Sequence, residues 1–219
     1  MFDTSAIINN LAGLLVFTSL MVVICKKATT SALIYSVQSA VLVLVFISIG
    51  HMTGAGELYT WAATAVFTKV VLVPLIMYST LSKLHDPEAG GTIISSAVLI
   101  LLTTLIMILF FFVANSVEIP IIRRHGLEPL LAVSLGHFMI GVMCIVSQRN
   151  IMKQIFGYCL MENGAHLTLA LMANQAPHLV EIGITTDAIF AVIVMVYMAR
   201  RIYATIHTLN AQDLTALKG

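Results

Sequence analysis

Apolar residues fill the chain in long runs, and charged residues, glycine or proline fall in the short segments between these runs. A helix that crosses a bilayer needs about 20 mostly apolar residues, because each residue adds about 1.5 Å across a hydrocarbon core of about 30 Å. Seven runs approach this length. The pattern predicts an all-α, polytopic membrane protein with about seven transmembrane helices, at residues 6–25, 31–50, 58–78, 92–114, 129–147, 153–173 and 182–199.

The composition supports a membrane protein and argues against a nucleic-acid partner. Hydrophobic residues make up 59% of the 219 residues and charged residues 10%, whereas about a quarter of the residues in a soluble domain are charged. The formal net charge is +1. Nucleic-acid binding requires a clustered basic face, and this composition gives no indication of one.

Basic residues are distributed unevenly between the predicted connecting segments. With the N-terminus outside, the outer segments contain Arg123 and Arg124. The inner segments and the tail contain Lys26, Lys27, Lys83, Arg149, Lys153, Arg200, Arg201 and Lys218. Because cytoplasmic loops carry the excess of Lys and Arg, the C-terminus is predicted to be cytoplasmic. The first run lacks a basic leader, having Asp3 instead, and is predicted to be a retained helix.

The sequence also resembles itself at an offset of 123 positions. Tyr35 aligns with Tyr158, and residues 65–73 align with residues 188–196 without a gap. A constant offset over three spans predicts two parallel three-helix units joined by a connector helix. The alternative is that apolar helices resemble one another by composition alone. The predicted organisation is a first unit at 1–85, a connector helix with its loops at 86–127, a second unit at 128–206 and a cytoplasmic tail at 207–219.

The sixth run contains a polar cluster, GYCLMENGAHLTLA, at 157–170. Glu162 falls near the middle of this predicted span, where a carboxylate must be paired or protonated because burial disfavours its charged form. Tyr158 and His166 lie four residues before and after it, on the same helix face. The three side chains form a polar stripe about two turns long. Such a stripe is typical of a proton relay.

Lys69 falls near the middle of the third predicted span. Its ammonium group needs a carboxylate partner at that depth, and Glu162 is one candidate. Pro74 cannot donate a hydrogen bond to the carbonyl of Val70, so a kink is expected there that offers this carbonyl to water. We predict that Lys69 belongs to a proton pathway. The alternatives are a structural ion pair and a lysine that extends its charge to the interface.

Asp187 is a second acidic residue within a predicted span, about five residues from its outer end. A buried aspartate at this position would accept and pass on a proton. The alternative is a solvated or capping residue at the mouth of the helix. We include Asp187 in the predicted pathway and leave this alternative open.

Two histidines, His137 and His166, fall at a similar depth on the predicted fifth and sixth helices. Facing histidines on neighbouring helices are able to ligate a haem. Because His166 shares a helix face with Glu162, the sequence favours the proton pathway for both histidines over haem. Gln38 on the second helix is expected to form a hydrogen bond between helices.

No pattern in the sequence indicates a redox centre or an enzyme active site. Cys25, Cys144 and Cys159 are far apart, whereas an iron–sulfur cluster normally requires four closely spaced thiolates. The sequence lacks a Gly-rich phosphate loop, an H-E-x-x-H motif and a nucleophile elbow. We therefore expect no catalytic residue, no metal and no cofactor on this chain.

Three stretches resemble the hydrogenase-4 component E family: SQRNIMKQIFGYCLMENGAHL at 147–167, TDAIFAVIV at 186–194 and the tail LTALKG at 214–219. The likeness extends over nearly the whole chain. The predicted helices five to seven are also similar to the small K subunit of respiratory complex I, a three-helix protein of the same orientation.

The complex I family carries one membrane carboxylate on its second helix and one on its third, and Glu162 and Asp187 fall in these regions. Two positions depart from the family pattern. Cys159 occupies the place of the first acid, four residues before Asn163, so the acid is shifted by almost one turn. Asp187 is one carbon shorter than the glutamate of the pattern. The relay geometry therefore remains open at this point.

The resemblance implies a subunit in the membrane arm of a nickel–iron hydrogenase complex of the formate hydrogenlyase type, in the bacterial inner membrane. Its neighbours would be antiporter-like subunits, and a peripheral arm on the cytoplasmic side would carry out the redox chemistry. In this setting the chain would contribute to proton translocation. The alternatives are a structural scaffold in the same complex and an independent ion transporter.

Overall fold

The computed structural model describes residues 4–84 and 91–216, and most of these residues are helical. Four features of the sequence lie outside the described residues: Asp3, the boundary predicted at 85 and 86, the segment 86–90 between the third and fourth runs, and Lys218 in the tail. The helices are α1 (Thr4–Ile24), α2 (Ala28–Thr53), α3 (Glu57–Ala65), a π-helical segment (Val66–Leu72), α4 (Val73–Leu81), α5 (Ser96–Ser116), α6 (Pro120–His125), α7 (Glu128–Ser147), α8 (Ile151–Met172), α9 (His178–Ile206) and a 3₁₀ helix (Ala211–Ala216).

Six helical segments of the described chain are long and apolar enough to cross a membrane. They are Ala6–Ile24, Ala28–Thr53, Glu57–Leu81, Ser96–Ser116, Glu128–Ser147 and Leu179–Ile206. The third of these consists of α3, the π-helical segment and α4 in direct succession. The prediction of an all-helical, multi-pass membrane protein is confirmed.

The sixth predicted span, at 153–173, corresponds to α8. This helix has 22 residues and is long enough to cross a membrane, but it is less apolar than the other six segments. Its polar residues include Lys153, Glu162 and His166, and α8 packs against α2, α7 and α9. The three side chains are largely enclosed by protein. The lower hydropathy of α8 thus reflects a helix in the interior of the bundle, where polar groups find protein partners.

Three of the segments predicted to be cytoplasmic meet at one end of the bundle. The backbone N–H of Arg149, between α7 and α8, donates to the carbonyl of Gly91 at 3.1 Å, and the N–H of Ala211 donates to the carbonyl of Arg149 at 2.7 Å. The start of α5, the α7–α8 link and the segment after α9 therefore lie side by side. We call this the inner end, and the opposite end, where α2 is linked to α3, the outer end.

Helices of the two predicted units pack directly on one another. α1 packs on α7, α2 packs on α8, and α3 and α4 pack on α9. These are the helices that the sequence offset pairs as counterparts, but the origin of the two units by duplication stays a prediction. α5, the predicted connector helix, packs mainly on α7 and leaves most of its apolar surface exposed.

Glycine allows α7 and α8 to approach each other closely. A Cβ added to Gly141 on α7 would lie 2.6 Å from the Cα of Met161 and 2.7 Å from the carbonyl oxygen of Gly157, both on α8. Small residues permit such contacts between membrane helices. Because Met161 directly precedes Glu162, this contact fixes the position of the glutamate relative to α7.

Buried apolar side chains form two clusters, one toward each end of the bundle, with polar side chains between them. On α2, Phe46 belongs to the outer cluster and Tyr35 to the inner cluster, and the buried Gln38 lies between. Polar residues interrupt the clusters in the same way on four other segments, at Ser19, Lys69, His137 and the pair Glu162 and Asn163. We call these six residues, including Gln38, the central layer.

We expect Gly141→Ala to lower the thermal unfolding midpoint of the purified chain in detergent, because the new methyl group would clash with the backbone of α8. Overpacking of this kind typically costs about 1–3 kcal/mol. Gly13→Ala on α1 is the matched control, since no atom lies within 4 Å of its added Cβ. Equal losses in both variants would contradict the close contact between α7 and α8.

Candidate functional site

Lys69 lies on a locally widened part of the third transmembrane segment. The π-helical turn that carries it, Val66–Leu72, is of a type that is frequent at functional sites. Pro74 follows and lacks the N–H that would bond to the carbonyl of Val70. Ser36 on α2 donates its hydroxyl to this carbonyl at 2.7 Å instead. The carbonyl of Val70, expected to be open to water, therefore has a protein partner.

The Lys69 ammonium forms an ion pair with Glu162. Nζ lies 2.6 Å from Oε2 of Glu162 and donates a second hydrogen bond to Oδ1 of Asn163 at 2.9 Å. The two charged side chains are only 4% and 12% exposed. Removing either partner would leave an uncompensated buried charge, so each charge depends on the other. The structure thus brings together the lysine and the glutamate that the sequence offered as a candidate pair.

Polar contacts continue from Asn163 across the bundle to α1. The Asn163 Nδ2 donates to Oε1 of Gln38 at 3.0 Å, and the Gln38 Nε2 lies 3.3 Å from Nε2 of His137. The other ring nitrogen of His137, Nδ1, lies 3.1 Å from the hydroxyl of Ser19. These four side chains are fully buried. The central layer is therefore one connected set of contacts between five helical segments.

The hydrogen bonds of the central layer are all donated in the same direction, from Lys69 toward α1. Lys69 donates to Asn163, which donates to Gln38, and the amide nitrogen of Gln38 is a donor only. His137 must then accept at Nε2 and carry its proton on Nδ1, which donates to Ser19. The Ser19 hydroxyl in turn donates to the carbonyl of Leu15 at 2.6 Å. Every contact from Lys69 to Leu15 is satisfied by this single arrangement of protons.

His166 lies one helical turn from Glu162, on the outer side. Its Nδ1 is 4.0 Å from Oε1 of Glu162, beyond hydrogen-bond distance. The ring packs between Phe46 on α2 and Trp61 on α3, with centroid distances of 5.1 Å and 5.2 Å. Neither ring nitrogen of His166 has a hydrogen-bond partner among the described residues.

A small cavity lies beside the ion pair, against α9. Its volume is about 10 Å³, and its lining includes Lys69, Glu162, Tyr158 and Thr185. One water molecule requires a cavity of about 10–15 Å³, so this space is at the lower limit for a single water. Tyr158, predicted from its helical spacing to neighbour Glu162, faces the same space.

Asp187 lies on the exposed face of α9. The buried acid of this helix is Glu181, which is 2% exposed and accepts a hydrogen bond from Thr185 at 3.0 Å. Glu181 directly precedes the span predicted at 182–199, so the apolar pattern gives no sign that it is buried. The role of Asp187 in a proton pathway stays a prediction.

Lys153, predicted to be one of the basic residues of the inner segments, is buried. Its Nζ donates to the carbonyls of Val22 and Cys25 at 2.6 Å and 2.7 Å and to the hydroxyl of Ser31 at 2.6 Å. The two carbonyls lie at the C-terminus of α1, where a helix leaves carbonyls unpaired and its dipole favours a cation. Lys153 therefore joins α8 to the inner end of α1.

Other members of the site carried little or no signal in the sequence. Asn163 stands beside Glu162 in a polar stretch and was detectable there, whereas Ser19 is one serine in an apolar run and has no distinguishing pattern. The two histidines that could have faced each other around a haem have different surroundings. His137 contacts the polar side chains of Ser19 and Gln38, and His166 packs against the aromatic rings of Phe46 and Trp61.

Comparison with known proteins gives matches along almost the entire chain. Proteins named hydrogenase-4 component E from Escherichia coli K12, Escherichia coli O157:H7 and Shigella flexneri are each 52% identical over 215 residues, covering 98% of this chain and 99% of the relative. The family model described as NADH-ubiquinone/plastoquinone oxidoreductase chain 4L matches residues 129–219. No solved structure gives a significant match.

We expect Asn163→Leu to destabilise the chain, because Lys69 would lose an acceptor and Gln38 would lose a donor at nearly constant side-chain volume. Each buried polar group left unpaired costs about 1–3 kcal/mol. Asn115→Leu is the control, since Asn115 is exposed on α5 and donates to the carbonyl of Phe111 within its own helix. Denaturant midpoints in detergent would measure both effects, and equal loss in the two variants would contradict a role for the buried amide.

Proposed function

This chain belongs to the hydrogenase-4 component E family, and on that premise we propose that it is a membrane-arm subunit of a complex I-like nickel–iron hydrogenase of the formate hydrogenlyase type. Within that complex it contributes to a proton-translocation pathway. The observation that carries this proposal is the buried ion pair between Lys69 and Glu162, from which hydrogen-bonded side chains continue across the bundle.

The titratable groups of the central layer are Glu162, Lys69 and His137. The carboxamides of Asn163 and Gln38 hold these groups at fixed spacing and orient their protons. Because carboxamides do not titrate near neutral pH, proton transfer past them requires a bridging water or rotation of the side chains. The pathway is thus closed in the observed arrangement, and movement within the complex would open it.

The central layer runs across the bundle and not along its axis, because its residues interrupt the apolar clusters at one depth on successive helices. It reaches Ser19 on α1 in one direction, and Glu162 with the small cavity against α9 in the other. This direction suits proton exchange with neighbouring subunits within the membrane. We propose antiporter-like subunits as these neighbours.

Asp187 would extend the pathway to the surface of α9. Its side chain is exposed on a helix that is apolar enough to cross the membrane. A charged aspartate costs about 2.5–3.5 kcal/mol at the centre of a membrane helix, and Asp187 lies nearer the outer end, so this figure is an upper limit for it. We therefore propose that a partner subunit covers Asp187 and provides a cation or a hydrogen-bond donor.

The redox chemistry of the proposed complex takes place outside this chain, in a peripheral arm on the cytoplasmic side of the bacterial inner membrane. With the N-terminus outside, the inner end of the bundle and the tail face that arm. Moving one charge across 100 mV requires about 2.3 kcal/mol, so a redox reaction with a small driving force moves few protons.

A structural scaffold is the second candidate function, and the contacts between helices favour it. The ion pair of Lys69 with Glu162 and the three hydrogen bonds of Lys153 all join separate helices. Such contacts hold the bundle together whether or not protons move. Glu162→Gln distinguishes the two functions, because glutamine preserves the shape and most hydrogen bonds but cannot carry the proton.

We expect Glu162→Gln to lower proton translocation coupled to hydrogenase turnover, measured per assembled complex, by about tenfold or more, since a positioned acid–base group contributes about 10²–10⁴-fold in proton transfer. The measurement uses membranes in which assembly is checked in the same sample. Glu118→Gln is the control, because Glu118 pairs with Arg123 on the exposed surface. Wild-type proton movement in Glu162→Gln would favour the scaffold instead.

We expect Asp187→Leu to preserve the fold of the isolated chain but to weaken its association with the rest of the complex. The side chain is exposed in the isolated chain, so its loss removes a contact only in the assembly. Phe190→Leu, on the exposed surface of the same helix and 68% exposed, is the control for lost surface area. Co-purification with the membrane subunits measures the effect, and unchanged recovery of Asp187→Leu would contradict a covered aspartate.

A further inference from the structure

The surroundings of His166 leave both nitrogens of its buried ring without a hydrogen-bond partner among the described residues. A neutral imidazole has one N–H donor and one nitrogen acceptor, and both need partners when they are buried. The His166 side chain is completely enclosed, yet neither nitrogen has a hydrogen-bond partner among the described residues. The neutral ring is therefore poorly satisfied at this position.

Two aromatic rings and one carboxylate surround this histidine. The centroids of Phe46 and Trp61 lie 5.1 Å and 5.2 Å from the imidazole centroid, within the distance of about 6 Å at which a cation is attracted to an aromatic face. Oε1 of Glu162 is 4.0 Å from Nδ1. A small rotation of either side chain would bring these atoms into hydrogen-bond distance.

Glu162 lies between two groups that are able to carry a positive charge. Its Oε2 accepts from Lys69 at 2.6 Å, whereas its Oε1 is buried on the His166 side without a hydrogen-bond partner in the described structure. We propose that Lys69 and His166 are alternative cationic partners of Glu162, and that one positive charge moves between them. This inference rests on the proposed proton pathway, because it assigns the step that takes place at Glu162.

The step conserves protons. In the observed arrangement Lys69 is an ammonium ion and His166 is neutral. Lys69 transfers one proton to Oε2 of Glu162, and the carboxylic acid rotates and transfers a proton to Nδ1 of His166. Lys69 is then a neutral amine, His166 an imidazolium and Glu162 again a carboxylate. One carboxylate compensates only one cation, so simultaneous charge on both partners is unfavourable at this depth.

The positions of the two partners give the step a direction. α8 runs from the inner end to the outer end, and His166 follows Glu162 by one turn, which is a rise of about 6 Å. The charge therefore moves toward the outer end when it passes to His166. Titratable groups near Glu162 include Tyr35, Tyr158 and Cys159, which line the same small cavity. Glu57 lies one turn before Trp61 on α3, and His137 lies beyond Asn163 and Gln38.

The test is nuclear magnetic resonance of the full chain in lipid nanodiscs with isotope-labelled histidine, where His166→Phe identifies the His166 signal. In the wild-type chain at neutral pH, we expect a neutral ring. In Lys69→Met, Glu162 loses its first partner, and the protonated fraction of His166 is expected to rise by about tenfold or more. Adding Glu162→Gln to Lys69→Met removes the carboxylate and is expected to restore the neutral ring.

Two outcomes would overturn the inference. One is a His166 ring that stays neutral in both Lys69→Met and Lys69→Gln. The glutamine variant gives the same test if the methionine variant does not fold. The other is a wild-type chain in which His166 is already cationic at neutral pH. His137 and the exposed His51 serve as internal controls. This measurement requires no transport, so its failure is distinguishable from failure of the proposed pathway, which Glu162→Gln tests in the assembled complex.

Discussion

The buried ion pair between Lys69 and Glu162 is the interaction on which the rest of the structure depends. Two charges at mid-depth lose most of their hydration, so they persist only if protein groups satisfy them. The π-helical turn places the lysine, the glycine contact with α7 fixes the helix that bears the glutamate, and Asn163 completes the coordination of the ammonium. In a bundle with an apolar centre, the π-helical turn and the glycine contact would be unnecessary, and a buried Asn163 would lack its hydrogen-bond partner.

The same constraint explains why the apolar core has two parts. Because the pair occupies the middle of the bundle, the buried amide of Asn163 needs a hydrogen-bond partner, which is Gln38. Gln38 and His137 are buried polar groups that need partners in turn, and the contacts end at Ser19. The central layer is therefore a consequence of satisfying one buried charge. In the proposed proton pathway, any change that opens the layer for proton transfer also removes contacts between helices, so stability and proton transfer would be linked.

The site lies between the two halves of the chain. Residues 129–219, which match the complex I-related family model, contribute Glu162, Asn163, His137 and His166, whereas the first half contributes Lys69, Gln38 and Ser19. Neither half alone contains the ion pair. The largely exposed apolar helix α5 and the exposed Asp187 on α9 leave surfaces that fit a subunit of a larger membrane assembly.

The sequence alone determined the membrane class, the helical runs and the position of Glu162 within a span, because apolar length and an acid at mid-span are local properties of the chain. Only the tertiary structure decided which helices face one another. That arrangement made Lys69 the partner of Glu162, brought Ser19 into the central layer, buried Lys153 against α1 and left Asp187 exposed. The physical reason is that the rotation and pairing of apolar helices depend on packing between segments distant in sequence, which helical periodicity does not encode.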